Sequence, residues 1–357
     1  MKRVWPLLLL FVLFPLKAKE RLNIAINGFG RIGKTFLRIV MNDPVARERL
    51  NIAVINTGSS DFEMAAHLFR YDTLMGTYKG EVRLVNDAVL AIDGHHIPLI
   101  AQRDVSKIDW HAYAIDWVVE ATGHYTERSL AQKHLEAGAK NVLITAPAQG
   151  EDLTFVLGVN DHLFDPQEHR IVSPGSCTSN ALAPIVKVIN DQFGIEHAFF
   201  STVHAFTGSQ ALLDSNRRDP RRSRSAPLNI VPTSTGAAKV ISKVIPEMRN
   251  IMSGYALRVP IGKVSIIDLM FVAKKPMTIQ KIKDALHDAA AHTMHGVLHV
   301  TDEPLVSSDF AGVDYSVVVD GLLIEAMGNT GRITGWYDNE WGYSARLKDF
   351  LVKHATL

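Results

Sequence analysis

A glycine-rich segment close to the amino terminus constrains the fold of this chain more than any other feature. Asn27-Gly28-Phe29-Gly30-Arg31-Ile32-Gly33 follows a strand-like apolar run at residues 22–27 and precedes a pattern with helical periodicity at residues 34–41. The first two glycines permit a tight turn and a close approach of a pyrophosphate to the backbone, and the third lets the helix pack on the strand. The segment therefore predicts a strand–turn–helix unit whose helix N-terminus faces an anion.

Alternating strand and helix patterns continue along the first part of the chain. A second strand is predicted at residues 51–56, and strands at residues 116–120 and 141–145 flank a helix at residues 127–137. A hairpin-like stretch at residues 80–92 interrupts the alternation. This order predicts an α/β fold with a doubly wound parallel sheet, the Rossmann domain that binds dinucleotides.

The second half of the chain has a different pattern, in which strands follow one another. They are predicted at residues 198–204, 256–259, 264–272, 315–319, 322–326 and 332–337. This succession indicates an α+β domain with a mostly antiparallel sheet, and a last helix is predicted at residues 342–352. The predicted division is a Rossmann domain at residues 21–176, a catalytic domain at 177–335, and a helical segment at 336–357 that packs back on the first domain.

Residues 1–20 form an apolar extension with some features of a secretory signal. Lys2 and Arg3 precede an apolar stretch, and Ala18 is a candidate cleavage site, but Leu16 and Lys17 suit a cleavage region poorly. A start codon assigned too early is the competing interpretation. The stretch is too short to span a bilayer comfortably. We therefore expect a cytoplasmic protein, with export left open.

Composition excludes some classes of partner. Lys+Arg 38 against Asp+Glu 37 leaves a net charge of +1 in 357 residues, so no global charge favours nucleic acid or an anionic membrane. A cluster of arginines at residues 217–222 is interpreted as solvated or interface charge. The single cysteine cannot form an intramolecular disulfide, which is typical of a reducing compartment.

That cysteine is a candidate nucleophile. Cys177 lies in Ser176-Cys177-Thr178-Ser179-Asn180 at the start of a helix-forming apolar run, where the helix dipole and unpaired N–H groups favour a thiolate. A buried, inert cysteine is the alternative. His204 ends the predicted strand 198–204 and is a candidate general base. Together the two side chains can oxidise an aldehyde through a hemithioacetal and a thioester. No metal site is predicted.

Six motifs in one order give the chain a specific resemblance. Ser176–Asn180, Thr202-Val203-His204-Ala205, Thr233-Ser234-Thr235-Gly236-Ala237-Ala238-Lys239, Trp336-Tyr337-Asp338-Asn339-Glu340, Arg258-Val259-Pro260 and the glycine-rich segment are similar to those of phosphorylating glyceraldehyde-3-phosphate dehydrogenases. The similarity runs from about Leu22 to the carboxyl terminus. Relatives that oxidise erythrose 4-phosphate share most of these motifs. The motifs therefore do not distinguish glyceraldehyde 3-phosphate from erythrose 4-phosphate as the substrate.

The resemblance implies an activity and a set of site residues. The activity is oxidation of glyceraldehyde 3-phosphate with NAD or NADP and inorganic phosphate to 1,3-bisphosphoglycerate, in a homotetramer whose subunits meet at the arginine-rich loop. The implied substrate and phosphate ligands are Ser176, Thr178, Thr207, Arg224, Thr235, Gly236 and Arg258. The implied cofactor ligands are Asn27, Gly28, Gly30, Arg31, Ile32, Thr57, Arg103, Thr122, Gly123, Thr145, Asn339 and Tyr343.

Two departures from the family pattern concern the choice of cofactor. Thr57 stands where an acid usually binds the adenosine ribose, and an acid would repel the 2′-phosphate of NADP. Ser215 and Asn216 stand where NAD-specific members usually carry a proline, which resembles the plastid-type enzymes that use NADP. We therefore expect NADP to be accepted. The selectivity should be modest, because no arginine adjoins Thr57 in the sequence.

A function of another class is an exported, non-catalytic binding protein on the same scaffold. The extension at residues 1–20 is its only support, whereas Cys177, His204 and Arg258 together favour the enzyme.

Overall fold

The computed structural model describes residues 21–355 and arranges them around two β-sheets. The signal-like extension predicted at residues 1–20 lies outside the described residues. Helices and strands alternate through the first sheet, and the second sheet is mixed. The α/β fold with a Rossmann domain and a second α+β domain is confirmed.

The first sheet has nine strands in the order β3-β4-β5-β2-β1-β6-β7-β9-β8. The strands are β1 (Leu22–Asn27), β2 (Leu50–Asn56), β3 (Val82–Val85), β4 (Val89–Ile92), β5 (His95–Ile100), β6 (Trp117–Glu120), β7 (Asn141–Ile144), β8 (Leu153–Thr154) and β9 (Ile171–Ser173). All pairings from β5 to β8 in this order are parallel, and β3 and β4 add an antiparallel edge. Because β2 lies on one side of β1 and β6 on the other, the order in which the chain adds strands reverses at β1. Ligands bind at this point in such folds.

Four helices accompany the first sheet: α1 (Arg31–Asn42), α2 (Pro44–Arg49), α3 (Phe62–Arg70) and α4 (Arg128–Glu136). The first begins three residues before the predicted start at residue 34, because Gly30 is its N-cap and the last three residues of the glycine-rich segment form its first turn. Its N–H groups therefore open directly onto the end of β1.

The second sheet has eight strands, with β11-β12-β10-β13-β17-β15-β14 in order and β16 paired to β17. The strands are β10 (Ile195–Ala205), β11 (Val231–Thr233), β12 (Met252–Val259), β13 (Ser265–Ala273), β14 (Leu298–Thr301), β15 (Val317–Asp320), β16 (Glu325–Met327) and β17 (Thr330–Tyr337). The pairs β10–β12 and β14–β15 are parallel and the others antiparallel, as the prediction of a mostly antiparallel sheet required.

Four more helices complete the described chain: α5 (Cys177–Phe193), α6 (Ala237–Val244), α7 (Ile279–Ala291) and α8 (Trp341–His354). No prediction was made for α7 or β14. The strand predicted at residues 322–326 is wrong in its first half, where a 3₁₀ turn occupies Gly321–Leu323 and β16 begins at Glu325.

The last helix returns to the first domain. Tyr343, Leu347, Phe350 and Leu351 of α8 belong to the apolar core beneath the first sheet, and Phe350 stacks on Phe155 with ring centroids 4.3 Å apart. A separate core of the second domain is built on α5 and the second sheet. Within residues 21–355, no helix is both long and apolar enough to cross a membrane.

Candidate active site

Cys177 is the first residue of α5, held where the chain passes from the first sheet to the second. The Ser176 hydroxyl caps the helix by accepting from the backbone N–H of Ser179 at 3.1 Å. Gly175 before it adopts φ 71°, a left-handed conformation that favours glycine. The Asn180 amide donates to the Pro174 carbonyl at 2.6 Å and ties the turn together. The thiol therefore sits at a helix N-terminus, as predicted.

Strand β10 of the second sheet brings a histidine to the thiol. His204 lies near the end of β10, and its Nε2 atom is 3.4 Å from Cys177 Sγ. On the other side of the ring, Nδ1 is 2.7 Å from the Ala205 carbonyl oxygen and 2.6 Å from an Arg258 guanidinium nitrogen. Arg258 also donates to the Ala205 carbonyl at 3.0 Å. These contacts fix the imidazole in line with the thiol.

Burial governs the charge of this pair. Burial raises the pKa of the Cys177 thiol, although Arg258 and the Thr178 N–H act in the opposite direction. Burial and then the positive charge of Arg258 lower the pKa of His204 to about 3. Burial therefore opposes the thiolate that the helix N-terminus is predicted to favour. Because each charge alone is disfavoured, we expect a neutral thiol beside a neutral imidazole that can accept its proton.

A cavity of about 290 Å³ surrounds the pair. Of the residues predicted for the site, it gathers Ser176, Cys177, His204, Thr207, Arg258, Arg31, Ile32, Thr145, Asn339 and Tyr343. Asn339 is buried, and its amide oxygen accepts from the Ser265 hydroxyl at 3.2 Å. Tyr343 donates to the Gly175 carbonyl at 3.1 Å, which places it against the turn that carries the thiol.

Some predicted phosphate ligands lie elsewhere. Thr178 is buried, and its hydroxyl oxygen lies 3.0 Å from the hydroxyl oxygen of Tyr337. Arg224 is exposed and forms an ion pair with Asp214 at 2.7 Å. Thr235 and Gly236 lie at the turn that begins α6 and line neither this cavity nor the one below.

Arg222, which was interpreted as a solvated or interface charge, contacts that turn instead. Its Nε donates to the Thr233 hydroxyl at 2.9 Å, and a terminal nitrogen is 3.4 Å from the Ser234 carbonyl oxygen. Its positive charge also helps to lower the pKa of His204. Arg222 is thus directed toward the site, while Arg224 points away from it.

A second cavity, of about 550 Å³, opens at the carboxyl ends of β1, β2 and β6. Six of the predicted cofactor ligands line it, namely Asn27, Gly28, Gly30, Thr57, Arg103 and Thr122, and Gly123 adjoins them. Gly28 adopts φ 98°, and a Cβ there would lie 2.7 Å from the Thr122 nitrogen, whereas the space beside Gly30 is open. This cradle, at the N-terminus of α1, fits the pyrophosphate of a dinucleotide.

The expectation that no arginine adjoins Thr57 holds for the sequence but not for the rim of this cavity. Arg103 Nε donates to the Gly58 carbonyl at 3.3 Å, so an arginine does lie beside the Thr57 loop. The Thr57 hydroxyl donates to the Ser59 carbonyl at 2.5 Å and presents no negative charge. Ser215 and Asn216 are exposed and do not line the cavity of their own chain.

An ion-pair cluster lies at the cavity around Cys177, which Arg31 and Glu340 both line. Arg31 donates from Nε and a terminal nitrogen to the Glu340 carboxylate at 2.9 and 2.5 Å, and its other terminal nitrogen binds Asp72 at 2.5 Å. This bidentate contact fixes the start of α1 against the start of α8.

Several lining residues were not predicted as ligands. The cavity around Cys177 also includes Ala146, Pro147, Gly208 and Glu340. The cavity at the end of β1 also includes Phe29, Asn56, Gly58, Gln102, Ala121, His124 and Tyr125. Most of them adjoin a predicted residue, so proximity in sequence was the available signal. Within residues 21–355, no three His, Cys, Asp or Glu side chains converge as a metal site.

Comparisons with known proteins agree with this arrangement. Residues 22–128 match the family model of the glyceraldehyde 3-phosphate dehydrogenase NAD binding domain, and residues 176–339 match that of the C-terminal domain. The chain is 43% identical over 335 residues to glyceraldehyde-3-phosphate dehydrogenase 2 of Bacillus subtilis (strain 168), with 94% of this chain and 96% of the relative covered.

Plant and cyanobacterial proteins are equally similar. Glyceraldehyde-3-phosphate dehydrogenase A, chloroplastic, of Zea mays is 45% identical over 332 residues, which cover 93% of this chain and 82% of the relative. Glyceraldehyde-3-phosphate dehydrogenase 2 of Trichormus variabilis (strain ATCC 29413 / PCC 7937) is 44% identical, with 92% and 97% covered. With a thiol–imidazole pair beside a dinucleotide cavity and matches over nearly its whole length, the chain belongs to the glyceraldehyde-3-phosphate dehydrogenase family of NAD(P)-dependent oxidoreductases.

Proposed function

We propose that this chain oxidises glyceraldehyde 3-phosphate with Cys177 as the nucleophile and His204 as the general base. The observation that carries the assignment is the 3.4 Å contact between Cys177 Sγ and His204 Nε2, inside a cavity that also holds Arg258. A soft sulfur nucleophile suits an aldehyde carbonyl, and a neutral imidazole is ready to accept a proton.

In the first step the sulfur forms a bond to the aldehyde carbon. His204 accepts the thiol proton and passes it to the carbonyl oxygen, which becomes the hydroxyl of a hemithioacetal. His204 then removes that hydroxyl proton, which releases a hydride from the same carbon and leaves a thioester on Cys177. The bound nicotinamide supplies the acceptor for that hydride. Asn339 and Tyr343 orient this part of the site.

In the second step inorganic phosphate attacks the thioester carbon. A phosphate oxygen forms the new bond to carbon, the carbon–sulfur bond breaks, and Cys177 leaves as the thiolate that His204 reprotonates. The product is an acyl phosphate. Arg258 and Thr207 bind the phosphate of the sugar, because both line the cavity beside the thiol.

Arg222 binds the attacking phosphate, because its positive charge acts on His204. Its contact with the Thr233-Ser234 turn supports this role in place of Arg224. The test is the matched pair Arg222→Leu and Arg224→Leu. We expect Arg222→Leu to raise the KM for inorganic phosphate at least tenfold and Arg224→Leu to change it less than twofold. The assignment is wrong if the two variants behave in the reverse order.

The cofactor is NAD or NADP, and we infer that NADP is accepted. Thr57 carries no carboxylate to repel a 2′-phosphate, and the guanidinium of Arg103 lies at the same rim. Arginine pairs well with phosphate oxygens, so the preference for NADP is expected to be stronger than Thr57 alone would give. Erythrose 4-phosphate remains the second candidate substrate, and steady-state kinetics with both aldehydes would rank the two.

An exposed apolar face of the second sheet supports assembly as a homotetramer. Phe199, Tyr255 and Met270 are 64%, 51% and 51% exposed. Phe199 pairs directly with Met270 across β10 and β13, and Tyr255 pairs with Ser201, two residues along β10. The three side chains therefore share one face of the sheet. Contiguous apolar patches of this kind usually mark protein interfaces.

The proposed location is the cytoplasm, because a nucleophilic thiol must stay reduced to act. Cell fractionation with sequencing of the native amino terminus tests this assignment.

A further inference from the structure

A buried carboxylate and imidazole lie beneath the dinucleotide cavity, and the reaction above uses neither of them. Glu120 ends β6 and is 1% exposed, and His134 of α4 is fully buried. Burying such groups is costly unless their hydrogen bonds are satisfied. Their partners therefore indicate what the two residues do.

The hydrogen bonds run in one direction from an indole to the carboxylate. Trp110 Nε1 is 3.1 Å from His134 Nδ1, and an indole N–H can only donate. Nδ1 must accept, so the proton of the neutral imidazole lies on Nε2. That nitrogen is 3.0 Å from Glu120 Oε2 and donates to it. Trp110 thus fixes the tautomer of His134, and His134 binds the carboxylate.

Glu120 holds two residues that line the cavity. Its Oε2 accepts from the Asn27 amide at 2.5 Å, and its Oε1 accepts from the Thr122 backbone N–H at 2.8 Å and from the Thr122 hydroxyl. Both carboxylate oxygens are therefore occupied by donors. Asn27 precedes Gly28 of the glycine cradle, and Gly28 packs against the Thr122 nitrogen.

The network continues across the sheet from Asn27. The Asn27 side-chain oxygen accepts from the Asn56 amide at 2.6 Å, and the Asn56 oxygen accepts from the Gln102 and Gly58 N–H groups at 2.9 and 3.2 Å. The chain of hydrogen bonds therefore links β6, β1, β2 and the segment after β5, which are neighbours in the sheet. Asn27, Asn56, Gly58, Gln102 and Thr122 all line the dinucleotide cavity.

We propose that Trp110, His134 and Glu120 are positioning residues that preorganise this cavity for the dinucleotide. They fix the carboxylate, and the carboxylate fixes the cavity wall without touching the ligand. Preorganisation lowers the cost of ordering the site on binding, so its loss weakens binding rather than chemistry. This inference rests on the proposed use of the cavity for NAD(P).

The test compares cofactor affinity with thiol reactivity. Glu120→Gln replaces one acceptor oxygen by an N–H₂ group that faces other donors. His134→Leu removes one of the donors to the carboxylate and leaves the indole N–H without its acceptor. We expect both variants to raise the Kd for NAD at least tenfold. The alkylation rate of Cys177 by iodoacetamide without cofactor should stay within twofold of wild type. His134→Gln can donate and accept, and should restore part of the affinity.

A matched control separates positioning from general stability. Asn160 is also buried in the first domain, where it binds the Val156 N–H and the Thr154 carbonyl at 2.8 and 3.0 Å, and it lines neither cavity described above. Asn160→Ala should lower the Tm and leave the Kd unchanged. The inference is overturned if Glu120→Gln and His134→Leu also lower only the Tm.

Two further measurements test the proposal even if Glu120→Gln and His134→Leu fail to fold. Trp110→Phe keeps an aromatic ring and removes the donor, and should weaken NAD binding by severalfold. In the wild-type protein, ¹⁵N spectra should show His134 protonated on Nε2, and protonation on Nδ1 would overturn the proposal. Equal NAD binding by wild type and all variants refutes this inference alone, whereas no binding by wild type refutes the proposed function as well.

Discussion

At the scale of single residues, the chemistry depends on the transfer of one proton between Cys177 Sγ and His204 Nε2, and burial affects the charge of both groups. Burial disfavours a thiolate on Cys177 and an imidazolium on His204, so the two charges arise together when the proton crosses between them. Arg258 stabilises the thiolate and disfavours the imidazolium. When the substrate phosphate pairs with Arg258, its effect on His204 weakens, so substrate binding should make His204 a stronger base.

Replacing the base tests this pairing. We expect His204→Asn to lower kcat/KM by about 10²–10⁴-fold, the usual contribution of a general base. Without the imidazole, the Cys177 thiol can lose its proton only to water, and burial already raises its pKa. Alkylation of Cys177 should therefore slow at neutral pH, and its rate profile should shift to higher pH. An unchanged profile would show that the two side chains do not interact.

The sequence predicted the two reactive residues but not their ionisation. The Cys177 and His204 motifs predicted a nucleophile and a base, and the structure brings them to 3.4 Å. The ionisation of the pair depends on burial by residues distant in sequence, so the local helix dipole alone was a poor guide. Arg222 and Arg224 are two positions apart in an irregular loop, and only the positions of Asp214 and Thr233 decide which one faces the site.

At the scale of elements, the turns at the ends of strands determine the ligand chemistry. The glycine-rich turn was predictable because its glycines are required by backbone geometry, as φ 98° at Gly28 shows. The position of Arg103 beside the Thr57 loop was not, because β5 brings two distant turns together. Helix α7 was not predicted, although its buried residues, Ile282, Leu286 and Ala289, follow helical spacing.

Thr57, in the turn after β2, is expected to affect the choice between NAD and NADP. Thr57→Asp places a carboxylate where it would repel a 2′-phosphate and bind the ribose hydroxyl, so NADP use should fall far more than NAD use. The measurement is the ratio of kcat/KM for the two cofactors, with Thr57→Ser as the control that keeps the hydroxyl. A wild-type preference for NAD above about 100-fold, roughly 2.7 kcal/mol, would contradict the inference that NADP is accepted.

At the scale of the whole molecule, α8 and the ion pairs of Arg31 tie the end of the chain to the first domain, and the second sheet leaves an apolar face open. Sedimentation should give a mass four times the 39.5 kDa of one chain. Phe199→Glu should reduce that mass by disrupting the face, whereas Leu163→Glu, at an exposed site of the first domain, should not. A wild-type mass equal to one chain would contradict the proposed tetramer.

A single-turnover experiment without phosphate tests directly whether Cys177 carries a thioester. Wild-type protein mixed with glyceraldehyde 3-phosphate and saturating NAD should release one equivalent of NADH per chain and then stop. Mass spectrometry should find the acyl group on the peptide that contains Cys177, and added phosphate should restart turnover. Cys177→Ser should bind NAD and give no burst, because a serine hydroxyl has almost no alkoxide at neutral pH. Continued turnover of the wild type without phosphate, or a full burst from Cys177→Ser, would contradict a phosphorylating mechanism through a thioester on Cys177.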